Sequence, residues 1–412
     1  MKIADKIDTV VFISTIPLIN GNTAGANRIH NYTKALALEN ISSVLLTPLI
    51  KFNKDYSLIK INEKLLIPSV YNLAKKKGLN IFSFIFFFIC IYKLLKWNNR
   101  FHRCVFFLYP SSHSTFDFIS IIFIKIIFRK KLFYEINELR RAYLTNRIHP
   151  RPFLKKTISF IKYVLDYLLY AFAEKTVWTF NGIIVISSAL ENYFIKKNNN
   201  LIRIPIICDT NHTLQHRIYL KKENGFLKLG FFGSISLKKE GFDAFFEALG
   251  KLYKDGYLFE LHLYGPINEE ENDLVLKILP IKYHIEGLVH YHGILAHDSI
   301  ITEMSNMDIL ILPRPENLQT KYGFSTKLAE YLTSGTPVLV TNVSDNGLHI
   351  RDGVNGLIIN KVDSAEFYDK LKTVYKNYDV CASNIGKNGF ITARNNFDYR
   401  LYSKTIADFL TS

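Results

Sequence analysis

Three observations predict an α/β chain built from two doubly wound parallel sheets. Short apolar runs alternate with longer helical stretches, the rhythm of βα units. That rhythm breaks once, near residues 205–225, where Pro205, Asp209, Asn211 and His212 interrupt it, and then restarts. The 412 residues, 48% of them hydrophobic, are enough for two buried cores.

The elements follow in order. Val10 to Ile13 reads as a strand, and the loop N-G-N-T-A-G-A-N-R (20–28) leads into a helix through Ala37. Ser43 to Leu46 is a second strand. A helix over 81–97 precedes the strand Val105 to Leu108, and a helix over 118–128 precedes the strand Leu132 to Tyr134. A helical region fills 152–175. The strand Gly182 to Ile186 ends in Ser187-Ser188, which cap a helix over 189–196. Beyond the break come a strand Lys228 to Phe232, a helix Gly241 to Asp255, and strands at Phe259 to Tyr264 and Asp308 to Leu312. The strand Gly356 to Ile359 and a helix over 364–377 complete the pattern. The expected division is a first domain over 1–205, a second over 206–385, and a C-terminal helical segment, 386–412, returning to the first. Ligands of such sheets sit at the carboxyl ends of the strands, here expected in a central cleft that the two domains face.

Charge is unevenly placed. Residues 1–200 hold 29 Lys+Arg against 11 Asp+Glu, whereas 201–412 hold 23 against 25. A basic half suits nucleic acid, anionic lipid or a phosphorylated substrate. No nucleic-acid-binding pattern accompanies it, so nucleic acid is set aside. The apolar run I-F-S-F-I-F-F-F-I-C-I-Y (81–92) lies among 15 uncharged residues between Lys77 and Lys93, short of the ~20 needed to span a bilayer. With Lys75 to Lys77 and Arg129 to Lys131 nearby, it suggests peripheral contact with an anionic membrane surface; a buried core helix is the plainer reading. The four scattered cysteines and the absence of a signal-like start suggest a cytoplasmic protein, placed on the inner membrane face if that contact is real.

The most chemically pointed stretch is K-Y-G-F-S-T-K-L-A-E-Y-L-T-S-G-T-P-V-L-V-T (321–341). Ser325 or Thr326 caps a helix whose Leu328, Tyr331 and Leu332 face inward; Gly335 and Pro337 stop it. Lys327 and Glu330 share a face near its start. A helix N-terminus with a lysine suits a diphosphate, and a carboxylate one turn on suits a ribose diol. The bland alternative is a capped helix with a surface ion pair.

This stretch, together with F-F-G-S-I-S-L-K-K-E-G-F (231–242), L-H-L-Y-G-P (261–266), H-G-I-L-A-H-D-S-I (292–300), M-D-I-L-I-L-P-R-P (307–315) and D-G-V-N-G-L-I-I (352–359), resembles the GT-B glycosyltransferases of the family 4-like group. More loosely, A-G-A-N-R (24–28), I-I-V-I-S-S-A-L-E-N-Y-F (183–194) and I-P-I-I-C-D-T-N (204–211) fit the first domain of that group. The resemblance implies two Rossmann-like domains and transfer of a sugar from a nucleotide diphosphate sugar. It implies no cofactor and no metal, and no D-x-D run is present.

Residue by residue, Glu330 matches the second glutamate of the family's paired-glutamate motif, while Tyr322 stands where the first belongs. Gly233 matches a conserved turn, but Ser234 replaces its phosphate-binding arginine and Glu240 a lysine. The implied donor set is Gly25, Gly233, Ser234, Lys239, Arg314, Phe324, Ser325, Thr326, Lys327 and Glu330. In F-Y-E-I-N-E-L-R-R (133–141), Asn137 and Glu138 occupy positions that face the sugar in the family, so Glu138, Asn137 and Glu135 are the catalytic candidates. Arg28, His113 and Arg140 are the acceptor candidates. A plain ion pair of the glutamates with Arg140 or Arg141 is the structural alternative. The loop Arg147 to Pro152 is basic enough to meet a phosphorylated acceptor.

The expected function is metal-independent, retaining hexosyl transfer to a glycan or lipid-linked acceptor in cell-surface polysaccharide or glycolipid synthesis. The alternatives are a non-catalytic nucleotide-sugar- or partner-binding protein, or a nucleotide-sugar epimerase, on the same fold.

Overall fold

The computed structural model describes residues 7–16, 23–48, 50–52, 58–60, 65–68, 70–72, 81–97, 103–110, 114–145, 153–211, 225–237 and 239–412. His113, Lys75 to Lys77, the loop Arg147 to Pro152 and the break at 212–224 lie outside them. Two compact units result: 1–205 with 399–412, and 206–398. The segment expected to return to the first domain, 386–412, is divided between them. The helix Tyr378–Asn396 packs within the second unit, beside the helix Thr326–Thr333. Residues 399–412 belong to the first.

The first unit is built on an eight-stranded sheet. In chain order its strands are β1 (Thr9–Ile13), β2 (Ser42–Leu46), β4 (Leu58–Lys60), β5 (Leu65–Pro68), β7 (Cys104–Leu108), β8 (Leu132–Ile136), β9 (Gly182–Val185) and β10 (Leu201–Arg203), with β3 (Ile50–Phe52) and β6 (Val70–Asn72) forming a separate antiparallel pair. The spatial order is β10-β9-β8-β7-β1-β2-β5-β4, parallel except where β4 joins β5. Every residue of β1, β7 and β8 is buried, because helices cover both faces of a parallel sheet. The helix Ala24–Leu38 is capped by Thr23, whose hydroxyl accepts from the Ala26 N–H at 3.2 Å. The C-terminal helix Ser403–Thr411 packs on it; Ser403 donates to Glu39 at 2.7 Å, and Phe409 meets Phe133.

The expected helix over 118–128 differs in kind. An α-helix, Ser114–Ile121, runs into a π-helical stretch, Ile122–Ile127, closed by the Phe128 N–H donating to the Phe123 carbonyl at 2.8 Å. The wider turn sets the Phe123 and Phe128 rings 5.0 and 6.5 Å from Phe88 on the helix Ile81–Trp97.

The second unit holds six strands: β11 (Leu227–Phe232), β12 (Phe259–Tyr264), β13 (Val289–Gly293), β14 (Ile309–Leu312), β15 (Val338–Thr341) and β16 (Leu357–Ile359). Their order is β13-β12-β11-β14-β15-β16, all parallel. The chain winds one way from β11 to β13 and the other from β14 to β16, so the switch point lies between β11 and β14. That is the point at which open α/β sheets leave a crevice for ligands. No described helix is long and apolar enough to cross a membrane.

Candidate functional site

At the switch point of the second unit, β11 runs into Gly233, whose φ of 140° suits glycine. A Cβ there would fall 2.2 Å from Cε of Lys327, and one on Gly265 would fall 2.2 Å from the Gly233 carbonyl oxygen. The two glycines therefore clear a lane for the lysine. Lys327 stands in the first turn of the helix Thr326–Thr333, which is pinned to β11 by Tyr331: its hydroxyl accepts from the Phe232 N–H and donates to the Phe232 carbonyl.

The Lys327 ammonium donates to Glu240 Oε1 at 2.6 Å and lies 4.2 Å from the centre of the Phe231 ring. Arg314, two residues beyond β14, places Nη2 3.6 Å from the same oxygen. The side chains of Lys327 and Arg314 are 13% and 19% exposed, and that of Glu240 is 1% exposed. The Glu240 loop is held against the Arg314 loop by the Gly241 N–H, which donates to the Pro313 carbonyl. Thr341 fixes the Arg314 carbonyl in turn, at 2.7 Å. Burial pulls the Lys327 ammonium down to about 8, against the attraction of Glu240. Three buried polar atoms of this cluster have no hydrogen-bond partner among the described residues: Glu240 Oε2, Arg314 Nε and Ser325 Oγ. Such atoms occur elsewhere as well, Glu135 Oε2 among them, but here they gather beside two partly exposed cations, where a polar ligand fits.

The sequence reading named most of these residues but not their wiring. Lys327 pairs with Glu240, 87 positions away, rather than within its own helix. Glu240, read as a lost basic contact, is the buried counter-charge of the group; its place beside Gly241 marked the position, but nothing local announced its burial. Lys239 is half-buried and adds its charge near Lys327. Glu330 is half-buried one turn further along the helix, and Ser234 is exposed. Ser325 occupies the N-cap, but its side chain makes no capping bond. Phe324 is a packing residue, 6% exposed and stacked on His349 with Phe397 at its edge. Gly335 takes a φ of 72° after the helix, as a glycine stop does. The acidic run Glu269 to Glu271 opens a short helix, and Glu271 accepts from the Leu237 N–H at 3.1 Å. Among the described residues no group of His, Cys, Asp and Glu is placed to hold a metal ion.

A histidine ladder escaped the sequence reading because β13, V-H-Y-H-G, lacks an apolar run. His262 and His292 approach ring nitrogen to ring nitrogen at 3.0 Å, and His292 stacks on Tyr264, which stacks on Phe232. Burial, with the neighbouring histidines, lowers the proton affinity of His262 and His292.

In the first unit two expectations need correction. Glu135, a catalytic candidate, is fully buried, and Arg28, an acceptor candidate, is 2% exposed. They bond to each other at 2.5 Å. The Arg28 guanidinium also donates to the Tyr32 hydroxyl and to the Ile204 and Pro205 carbonyls. Sealed in this way, the pair is structural. Gly25 is helical, and a Cβ there would press on Ile16 at 2.5 Å and on Tyr109 at 3.2 Å. The candidate donor phosphate approach is thus filled by this unit's own side chains. Asn137 lies 3.4 Å from the Tyr109 hydroxyl. Glu138 and Arg140 line a small cavity of about 40 Å³ with Tyr134, Tyr170, Phe172 and Phe180. Arg141 does pair with a carboxylate, but with Glu174 at 2.6 Å.

This is the GT-B fold, with the polar cluster of the second unit at the switch point of its sheet. Residues 227–377, within the second unit, match the family model described as glycosyl transferases group 1. No curated protein matches the chain. Among solved structures, HepE of Anabaena in complex with UDP is 14% identical and aligns over 98% of this chain and 99% of its own, with a TM-score of 0.64. Sucrose-phosphate synthase of Thermosynechococcus elongatus is 12% identical over 97% and 98%, with a TM-score of 0.69. WaaG, a glycosyltransferase involved in lipopolysaccharide biosynthesis, is 14% identical over 98% and 100%, with a TM-score of 0.63. At such identities the likeness is one of fold.

Proposed function

We propose that the chain transfers a sugar from a nucleotide diphosphate sugar, and that the second unit holds the diphosphate on Lys327 and Arg314. The observation that carries this reading is the convergence of two largely buried cations at the switch point, with Gly233 leaving room beside Lys327. The family match and the UDP bound by HepE support it. Fixed cations stabilise the charge that builds on a leaving diphosphate as the sugar–oxygen bond breaks, and they need no reorganisation at that moment. Glu330, one turn down the same helix, is the proposed ribose ligand, with Lys239, Ser234, Ser325 and Thr326 around the phosphates. Glu138, Asn137 and Arg140 are the proposed acceptor-side residues, for a glycan or lipid-linked acceptor in cell-surface glycan synthesis.

Thermal stability against UDP, GDP, ADP, CMP and their sugars tests the donor reading. A ligand at 100 times its Kd adds ~2.7 kcal/mol to the folded state. A shift with one diphosphate that vanishes in Lys327→Ala fixes the base and the site together. No shift with any of them, from folded protein, defeats the reading. Binding without turnover would leave the non-catalytic alternative standing.

A second observation favours work at an anionic membrane surface. On the helix Ile81–Trp97 one face packs Phe84, Phe87 and Phe88 inward, while Phe82 is 77% and Phe86 61% exposed. Ile126 and Ile127 of the π-helical stretch and Phe118, Leu168 and Phe172 nearby are exposed as well. Residues 75–134 hold eleven Lys+Arg and one acidic residue, the buried Asp117. Exposed aromatics on a stretch of chain so rich in basic residues suit anionic lipid better than a protein partner or a second copy of this chain. The expected result is sedimentation with phosphatidylglycerol vesicles but not with phosphatidylcholine vesicles, reduced by salt and by the paired change Phe82→Ser and Phe86→Ser. Equal recovery with both lipids, or with neither, would remove the membrane from the proposal.

A further inference from the structure

We propose that Glu240 is a resident counter-anion of the donor site, which occupies Lys327 and Arg314 in the free protein and is exchanged for the phosphates of the donor. The inference rests on the donor reading above and adds a residue whose charge opposes that of the ligand.

The geometry is specific. Glu240 Oε1 takes the Lys327 ammonium at 2.6 Å and stands 3.6 Å from Arg314. Its other oxygen, Oε2, is buried without a hydrogen-bond partner among the described residues, and so is Arg314 Nε. The sealed Arg28–Glu135 pair also leaves one carboxylate oxygen idle, but its guanidinium is engaged on all sides; here a donor of the cation, Arg314 Nε, is idle as well, and both cations are partly exposed. The loop that carries the carboxylate is tied down. The Gly241 N–H ties its loop to Pro313, and a Cβ on Gly241 would meet the Pro313 carbonyl oxygen at 2.6 Å. A phosphate drawn to Lys327 and Arg314 therefore meets a carboxylate already seated at the same two cations.

Two opposed effects follow. The carboxylate repels an incoming diphosphate, which weakens binding and speeds release of the nucleotide product. It also keeps Lys327 charged in its buried seat. The charged groups acting on that ammonium are Glu240, which favours the proton, and Arg314 and Lys239, which oppose it. Tyr331 also stands close to Glu240 and spends its hydroxyl on the Phe232 backbone. The two effects separate on the pH axis, because support for the proton matters only where Lys327 begins to lose it.

The experiment measures Kd for UDP, GDP and inorganic pyrophosphate by calorimetry from pH 6 to pH 9, in the unaltered protein and in Glu240→Gln. The amide keeps the shape and an acceptor for Lys327. At pH 6, where the unaltered protein holds the ammonium, Glu240→Gln is expected to bind the diphosphate about tenfold tighter or more, as loss of a like charge a few ångströms away implies. That advantage should shrink steadily as the pH rises, because the variant loses the Lys327 proton at lower pH. Weaker or unchanged binding at pH 6 overturns the inference and leaves Glu240 as a bracket for its cations. No binding of any probe by either protein, both shown to be folded, fails the donor reading instead. If Glu240→Gln does not fold, Glu240→Asp withdraws the carboxylate by one methylene and should give a smaller change of the same sign; a change of the opposite sign overturns the inference equally.

Discussion

Each unit buries a glutamate against an arginine or lysine near the carboxyl ends of its strands, and the two are finished differently. In the first unit Arg28 spends its guanidinium on Glu135, on a tyrosine and on two backbone carbonyls, out of reach of solvent. In the second, Lys327 and Arg314 keep 13% and 19% of their side-chain surface exposed and leave hydrogen-bonding capacity unused around Glu240. Burial alone does not separate a structural charge from a working one. Each carboxylate leaves its Oε2 without a partner among the described residues, so the cations separate the two: Arg28 is engaged on all sides and sealed, whereas Arg314 keeps an idle Nε and both cations of the second unit keep some exposed surface.

Breaking the closed pair should have the largest effect. Glu135→Ala leaves Arg28 buried without its counter-charge, a change that costs ~3–5 kcal/mol in comparable pairs. Urea unfolding should show that loss, while UDP binding by protein that remains folded should be unchanged. A near-neutral stability change, or a selective loss of nucleotide binding, would collapse the distinction between the units.

Opening the second pair should act on the ligand more than on the fold. Lys327→Ala should weaken UDP by roughly tenfold to a hundredfold, the range of a charge-assisted hydrogen bond of ~1.5–3 kcal/mol, and leave uridine nearly untouched. Equal losses for UDP and uridine would take Lys327 off the phosphates.

The same contrast explains what the sequence could and could not reveal. Runs such as V-V-F-I (10–13) and I-L-I-L (309–312) are legible as strands, because sheets covered on both faces demand apolar residues at every position. β13 hid because it lies at the edge of its sheet and carries histidines. Lys327 stood out through local helix-start chemistry. Arg28 and Glu135 were misread for the opposite reason: their partners lie 107 positions apart, and no local pattern reports that both are sealed. Glu240 is the hardest case. Its partner lies 87 positions along the chain, and a carboxylate among lysines reads as solvated until the fold buries it.

A smaller effect should appear on the pH axis. Burial holds the Lys327 ammonium near 8, from an ordinary 10.5. UDP affinity should therefore fall as the pH rises through about 8, where the cation is lost. Stability should move the other way. Between about 8 and 10.5 the unfolded chain holds a proton that the folded lysine has released, so folding gains as the pH rises. The free and UDP-bound proteins, melted side by side from pH 7 to pH 10, should converge in Tm. Parallel curves would place the phosphates on permanent charges such as Arg314 alone.

The finest test asks whether the open site extends along its helix. Glu330 lies one turn beyond Lys327 and is half-buried. If its carboxylate accepts from the ribose, Glu330→Gln should weaken UDP only about threefold to tenfold, since the amide retains one acceptor. The loss should be smaller for 2′-deoxy-UDP, which lacks one of the hydroxyls at stake. Calorimetry with both nucleotides on both proteins closes a double-mutant cycle in which only the hydroxyl and the carboxylate change. A coupling near zero would confine the open chemistry of the second unit to the phosphate cations and their resident carboxylate. A coupling of ~0.5 kcal/mol or more would carry it on to the sugar of the nucleotide.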